Sequence, residues 1–294
     1  MTDAPPPHPR KSRLDPGARA RLLDEIARID AKTSAMAPKP DQADTTPHHL
    51  PRVVNVWGNL LTIPVDEALL ARNLVITASR ENPAHAAFDV LRSRLLQALT
   101  GNGWNRVAVT SPTQGCGKSF TAVNLAITLS RYDNCRTVLM DMDLRHPSIA
   151  RYLGVTDPPA MADYLRGMIP TEAFLRKPGQ NMLHIGDNLA IGLNGRIEGY
   201  AAELFHDSKA AEVLTRMQEE VRPDVVLFDL PPALAQDDVI AFRPHFDCLL
   251  LVVGGGTTTA RQMKETIRRI GEDKPVIGVV LNKAEGDDVE SYSY

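Results

Sequence analysis

The residues with the plainest chemistry lie in Val107-Ala-Val-Thr-Ser-Pro-Thr-Gln-Gly-Cys-Gly-Lys-Ser-Phe120. A short apolar run leads through a glycine-containing loop into Gly-Lys-Ser and a helix-like stretch, which is the context a phosphate-binding P-loop needs. Backbone N–H groups of such a loop, together with the helix N-terminus, surround phosphate oxygens. Lys118 can then bridge the outer phosphates and the Ser119 hydroxyl can ligate Mg²⁺. Gly115 and Gly117 let the backbone come close. Thr113, Gln114, Gly115, Cys116, Gly117, Lys118, Ser119 and Phe120 are therefore the expected contacts to ATP. A strict GxxxxGK[ST] pattern wants glycine at position 112, where this chain has Pro112, so the surrounding pattern carries the assignment.

Two further segments place acids where this loop could use them. Val138-Leu-Met-Asp141-Met-Asp143-Leu-Arg145 puts two carboxylates and a guanidinium beyond an apolar run, and Asp229 ends Val225-Val-Leu-Phe before Leu-Pro-Pro. Ligands of α/β sheets bind beyond the carboxyl ends of the strands. Mg²⁺ would be held by Ser119, phosphate oxygens and water, with Asp229 in its inner or outer shell. Arg145 either steadies the acidic pair or an acceptor phosphate, or forms an ion pair with Asp141 or Asp143. Cys116 is either a thiol sensitised by the helix N-terminus, whose oxidation would block ATP, or a small residue that fits.

These residues need a scaffold, and the pattern from Arg106 onward supplies one. Short apolar runs alternate with helix-like segments, which predicts an α/β P-loop NTPase fold with a mainly parallel central sheet flanked by helices. The predicted strands are 107–110, 137–140, 181–185, 225–228, 248–253 and 276–281. The predicted helices are 83–99, 118–130, 208–221 and 258–271. This ATP-binding domain is read as 83–283, preceded by an irregular or strand-containing lead-in over 52–82 and followed by an acidic tail over 284–294. Nine of the 22 prolines fall in residues 1–51, so that region is read as a largely disordered extension. Within it Asp15 could cap a helix from Pro16 to about Ala31, with Leu22, Leu23, Ile26 and Ile29 on one face. That stripe either docks on a partner or membrane surface, or packs back on its own domain.

With 294 residues, 43% hydrophobic and 23% charged, the chain can bury one sizeable core. A formal charge of −3 gives no basic footprint, so nucleic acid is not expected as a partner. Cys116, Cys135 and Cys248 match neither a zinc set nor a disulfide framework, and no signal peptide or membrane span is visible, so a cytoplasmic location is expected.

Three apolar residues followed by D-x-D-x-R, and apolar residues followed by D-x-P-P, resemble the second and third nucleotide motifs of the bacterial tyrosine kinases that accompany capsule and exopolysaccharide export. The likeness takes in Arg145-His-Pro147, Tyr152-Leu-Gly, Asp238, Gly278-Val-Val-Leu-Asn-Lys283 and a tyrosine-ending tail, and spans roughly 83–294. It implies an ATP-dependent protein-tyrosine autokinase in which Lys118 and Ser119 hold Mg-ATP and Asp141 and Asp143 help the metal and prepare the tyrosine hydroxyl. Asp143 is the expected base, Asp229 completes the metal site, and Asn282 lies near the adenine. Tyr292 and Tyr294 are the implied phosphoacceptors, and the implied partner is a polysaccharide co-polymerase-type membrane protein. The chain departs from the family in having Ala86, Asp89 and Arg92 where a Glu-x-x-Arg-x-x-Arg motif joins subunits into a ring, which weakens the expectation of self-association. Two other readings share the sheet: a positioning ATPase of the partition and division-site type, whose early signature lysine is replaced here by Thr113, and a non-catalytic ATP-binding adaptor.

Overall fold

The computed structural model describes residues 15–35, 56–78 and 84–284. Eight strands form one sheet: β1 Leu61–Ile63, β2 Arg106–Thr110, β3 Thr137–Asp141, β4 Arg176–Pro178, β5 Leu189–Gly192, β6 Val225–Asp229, β7 Cys248–Gly254 and β8 Val276–Asn282. Their order is β1-β4-β5-β3-β6-β2-β7-β8, with every neighbouring pair parallel except β4 and β5. Five helices of eleven residues or more are α1 Pro16–Ala35, α2 Ala84–Asn102, α3 Lys118–Ser130, α4 Ser208–Val221 and α5 Ala260–Ile270.

The strands read as continuous apolar runs because both faces are covered. Val107, Val109, Leu139, Leu227 and Leu250 enter one core with α2 and α3, while Ala108, Val138, Met140, Phe228 and Leu249 enter the other with α4. This period-two division fixes the register, since a one-residue slip would exchange the two cores. Residues 56–78 join the same cores: Trp57 is buried and donates through Nε1 to the Val221 carbonyl at 2.7 Å, and β1 pairs with β4.

Five of the six predicted strands and all four predicted domain helices are present with small boundary shifts. The strand predicted at 181–185 is not. Asn181 captures the local backbone: its Oδ1 accepts from the Leu183 and Ile185 amides and its Nδ2 donates to the Gly179 and Ile185 carbonyls. His184 takes a φ of 52°. An Asn side chain that satisfies the chain locally competes with a sheet ladder, and the strand forms instead at Leu189–Gly192. Within the lead-in, Val56 and Trp57 are helical, Leu74 has a φ of 61°, and β1 is the strand that joins the sheet.

The helix begun by Asp15, whose Oδ1 accepts from Ala18 N at 2.8 Å, packs back on its own domain. Leu22 is 2% exposed and meets Leu251, Val253 and Met263, with Ile26 and Ile29 beside it, whereas Leu23 is 44% exposed and lies off the buried stripe. The spacing 22, 26, 29 follows one helical face. No described helix is long and apolar enough to cross a membrane. Replacing Leu22 with Ala should loosen α1 by about 2–4 kcal/mol. Hydrogen exchange across 16–35 should then rise while β2, β3 and β6 stay protected. Unchanged exchange in α1 would contradict this packing.

Candidate active site

The site is assembled by parallel register. Asp141 stands opposite Asp229 across β3 and β6, and Val109, which leads into the P-loop, stands opposite Asp229 across β2 and β6. The Met142 amide donates to the Asp229 carbonyl at 2.9 Å, extending the ladder one residue before Asp143. Both acidic segments and the loop therefore meet at one carboxyl edge of the sheet, as the sequence predicts.

The loop itself is bent by Gly115 and Gly117, with φ of 82° and 95°. Gly117 caps α3 with backbone only, so no side chain occupies the helix N-terminus and its amides remain available to an anion. The β8 end clamps the loop from behind. Asn282 Nδ2 donates to the Cys116 carbonyl at 2.9 Å and Lys283 Nζ to the Gly115 carbonyl at 2.7 Å. A Cβ at Gly117 would collide with the Asn282 amide. Thr113 is half-buried and Gln114 exposed, while Phe120 packs edge-on against Phe88 and could serve a ligand through its backbone. Cys116 is 1% exposed, with its sulfur 3.6 Å from Thr113 Oγ1 and 3.5 Å from Thr258 Oγ1, which supports a residue chosen for fit.

Lys118 is the centre of the charge cluster. Its ammonium lies 2.7 Å from Asp143 Oδ2, 3.6 Å from Asp229 Oδ1 and 3.3 Å from Ser119 Oγ. Burial opposes its charge, but Asp229, Asp143 and Asp141 more than offset that and hold its pKa above that of a free lysine. Asp143 Oδ1 accepts from the His146 amide, and Asp141 Oδ2 from the Ser148 and Ile149 amides, each at 2.9 Å. Burial, reinforced by Asp229, pushes the Asp141 carboxyl well above its ordinary range. Burial also raises Asp229, against the pull of Lys118.

Three buried carboxylate oxygens, Asp141 Oδ1 and both oxygens of Asp229, have no hydrogen-bond partner among the described residues. Such groups are costly unless something else satisfies them. A divalent cation beside Ser119 would do so. No group of three or more His, Cys, Asp or Glu among the described residues forms a ready metal cage. Mg²⁺ does not require one, because it is commonly held by one or two protein oxygens together with phosphate and water. The residues fit Mg²⁺ with a nucleotide.

Arg145 pairs with neither Asp141 nor Asp143. Its guanidinium grips Asp238 through two bonds of 2.7 and 2.9 Å and donates to the Gly199 carbonyl at 3.0 Å, tying the 194–203 loop to the segment after Pro231-Pro232. Asp238 is buried and is the stronger partner because it offers both oxygens. Lys283 and Thr258 also belong to the site through Gly115 and Cys116, and no sequence motif gives either a role. Lys283 is visible only as part of the Gly278–Lys283 match, and Thr258 leaves no sequence signal. Tyr292 and Tyr294 lie outside the described residues.

Residues 107–293 match the model of the CobQ/CobB/MinD/ParA nucleotide binding domain. The chain belongs to this family. Within the CobQ/CobB/MinD/ParA family its similarity is to bacterial tyrosine kinases. The Ralstonia solanacearum protein EpsB, whose name proposes a tyrosine-protein kinase, is 30% identical over 82% of this chain, and the aligned part is 30% of that protein. The chain thus spans about a third of the length of the curated relatives it matches. A solved VpsO kinase domain is 26% identical with a TM-score of 0.58, covering 68% of this chain and 95% of its own. The kinase domain of Escherichia coli tyrosine kinase ETK shares the fold at 22% identity and a TM-score of 0.60, over 73% of this chain and 82% of its own.

The buried acids have a measurable consequence. A carboxyl whose pKa is raised on folding binds an extra proton between its ordinary and its raised value, so the fold loses stability as pH climbs through that window. Asp141→Asn keeps an acceptor for the Ser148 and Ile149 amides and removes the charge. Metal- and nucleotide-free Asp141→Asn should melt about 2–4 °C above wild type at alkaline pH, roughly 1 kcal/mol for a domain of this size. The gap should close on acidification. A lower melting point at every pH would contradict the assignment.

Proposed function

We propose that the chain is an ATP-dependent protein-tyrosine autokinase that acts in the cytoplasm, with a separate membrane partner of the polysaccharide co-polymerase type, to regulate exopolysaccharide or capsule polymerisation and export. One observation carries the reading: Lys118 meets two buried carboxylates, Asp143 and Asp229, with Asp141 opposite Asp229 in the next strand, at the mouth of an uncapped P-loop helix. The names of the relatives agree with it.

Lys118 and the amides of 113–120 bind the phosphates of ATP, and Ser119, Asp141 and Asp229 hold Mg²⁺. When bound, the cation offsets charge on the transferring phosphoryl group. Asn282 serves the adenine side. A tyrosine hydroxyl, with a solution pKa near 10, needs a carboxylate to take its proton, and Asp143 has that role. Lys118 occupies Asp143 Oδ2 in the nucleotide-free chain, and its move to phosphate frees that oxygen. Tyr292 and Tyr294 are the acceptors, each gaining roughly −1.5 to −2 charge. Asp89 and Arg92 pair with each other at 2.8 Å, and Arg92 also donates to the Thr128 carbonyl at 3.3 Å. Arg92 is thereby engaged with its own domain.

The test is incubation with Mg-ATP, alone and with the cytoplasmic part of the membrane partner, followed by mass spectrometry for phosphotyrosine. Wild type should label Tyr292 and Tyr294, Lys118→Ala should lose about 100-fold or more in rate, and Tyr292→Phe/Tyr294→Phe should lose the label. Phosphotyrosine absent under all conditions overturns the reading. ATP hydrolysis without it would point to a positioning ATPase, and binding without turnover to an adaptor.

A further inference from the structure

α1 and α5 lie side by side over the end of the sheet, joined by the apolar contacts of Leu22 with Met263 and by a Lys264–Glu25 ion pair at 3.1 Å. The open cleft between them is lined by Arg21, Arg261, Lys264 and Arg268, with Glu265 the single acidic lining residue among the described residues. Arg268 is held by Glu265 at 2.5 Å and Lys264 by Glu25. Among the described residues neither Arg21 nor Arg261 forms an ion pair, and both are exposed. The cleft carries more positive charge than its walls neutralise. It is not part of the P-loop site.

The course of the chain points to what covers it. After β8, Lys283 turns with a φ of 59° and Ala284 comes to rest against Gly255, where a Cβ would stand 2.9 Å from the Ala284 Cα. Gly255 opens a tight turn closed by the Thr258 amide on the Gly254 carbonyl at 2.8 Å, and the next residue, Thr259, caps α5 and borders the cleft. Chain leaving Ala284 therefore starts beside the mouth of the cleft. The segment that leaves is Glu285-Gly-Asp-Asp-Val-Glu-Ser-Tyr-Ser-Tyr294, with four acids and no Lys or Arg. Its ten residues can reach about 33 Å when extended. The eleven residues of α5 rise only about 16 Å. The helix N-terminus adds attraction for carboxylates at the near end.

We propose that the cationic cleft between α1 and α5 is a binding site for the acidic segment 285–294 of the same chain. The tether places the segment at an effective concentration in the millimolar range, so contacts too weak to hold a free peptide still populate the bound state. An anionic lipid surface would use the same cations, but the origin of the acidic segment at the cleft mouth favours the segment. The site does not depend on the kinase reading, because Glu285, Asp287, Asp288 and Glu290 supply the charge without phosphorylation. Phosphate on Tyr292 or Tyr294 would tighten the contact.

The test uses the full chain with a photo-cross-linking benzoylphenylalanine in place of Ser291, in a mixture of heavy-isotope-labelled and unlabelled protein at low salt. Cross-links should map to 18–21 and 261–268 and join segments of the same isotope. They should fall about fivefold or more in the Arg21→Glu/Arg261→Glu variant, and likewise at about 1 M salt, where the Debye length is near 3 Å. A second variant with the four acids changed to Gln and Asn, which leaves the folded domain untouched, should lose them equally. Cross-links mainly elsewhere, joined between isotopes, or undiminished by either variant would overturn the proposal. So would Arg21- and Arg261-dependent binding of the full chain to phosphatidylserine vesicles with no cross-link to the cleft, which would assign it to a membrane.

Discussion

The interaction on which the molecule depends is the burial of one ammonium among three carboxylates. Lys118 stands within 4 Å of Asp143 and Asp229, while Asp141 is opposite Asp229 in the adjacent strand. Burial and the neighbouring Asp229 hold Asp141 toward its protonated form, and Asp143 and Asp229 still outnumber the single ammonium. Proteins tolerate such clusters at functional sites and offset the cost through the packing around them. Here the cost has a direction, because what relieves it is a cation and what Lys118 can exchange its carboxylates for is a phosphate.

The remaining architecture holds that cluster in place. Parallel pairing of β2, β6 and β3 aligns the strand ends, and the alternation of their side chains between two cores prevents a slip that would scatter the acids. α3 starts without a side-chain cap, which leaves its first amides for a ligand. Asn282 and Lys283 hold the loop from the far strand. α1 covers the apolar face left by Leu251 and Val253, which would otherwise open the edge of β7 and β8 to solvent.

Much of this was legible in the sequence, for reasons particular to each element. Continuous apolar runs ending in Asp141 and Asp229 announce buried parallel strands with their acids at the carboxyl edge, and Gly117-Lys118-Ser119 announces where the helix begins. Segment 181–185 misled because Leu183 and Ile185 look apolar enough for a strand, while the decisive term is the four bonds made by Asn181. Arg145 lies two residues from Asp143, yet its partner Asp238 is 93 residues away, and no spacing rule reaches that far. The clamp of Lys283 on Gly115 and the cleft between α1 and α5 likewise exist only once distant segments meet.

The net negative charge around Lys118 governs what the site can bind. The most direct measurement is calorimetric titration of ADP into the chain with Mg²⁺ and again with chelator, for wild type and Asp229→Asn. Buried carboxylates should repel the phosphates unless the cation is present, so wild type should bind about tenfold tighter or more with Mg²⁺, some 1.4 kcal/mol, and Asp229→Asn should narrow that gap. Equal affinity with and without Mg²⁺ in the wild type would contradict the account.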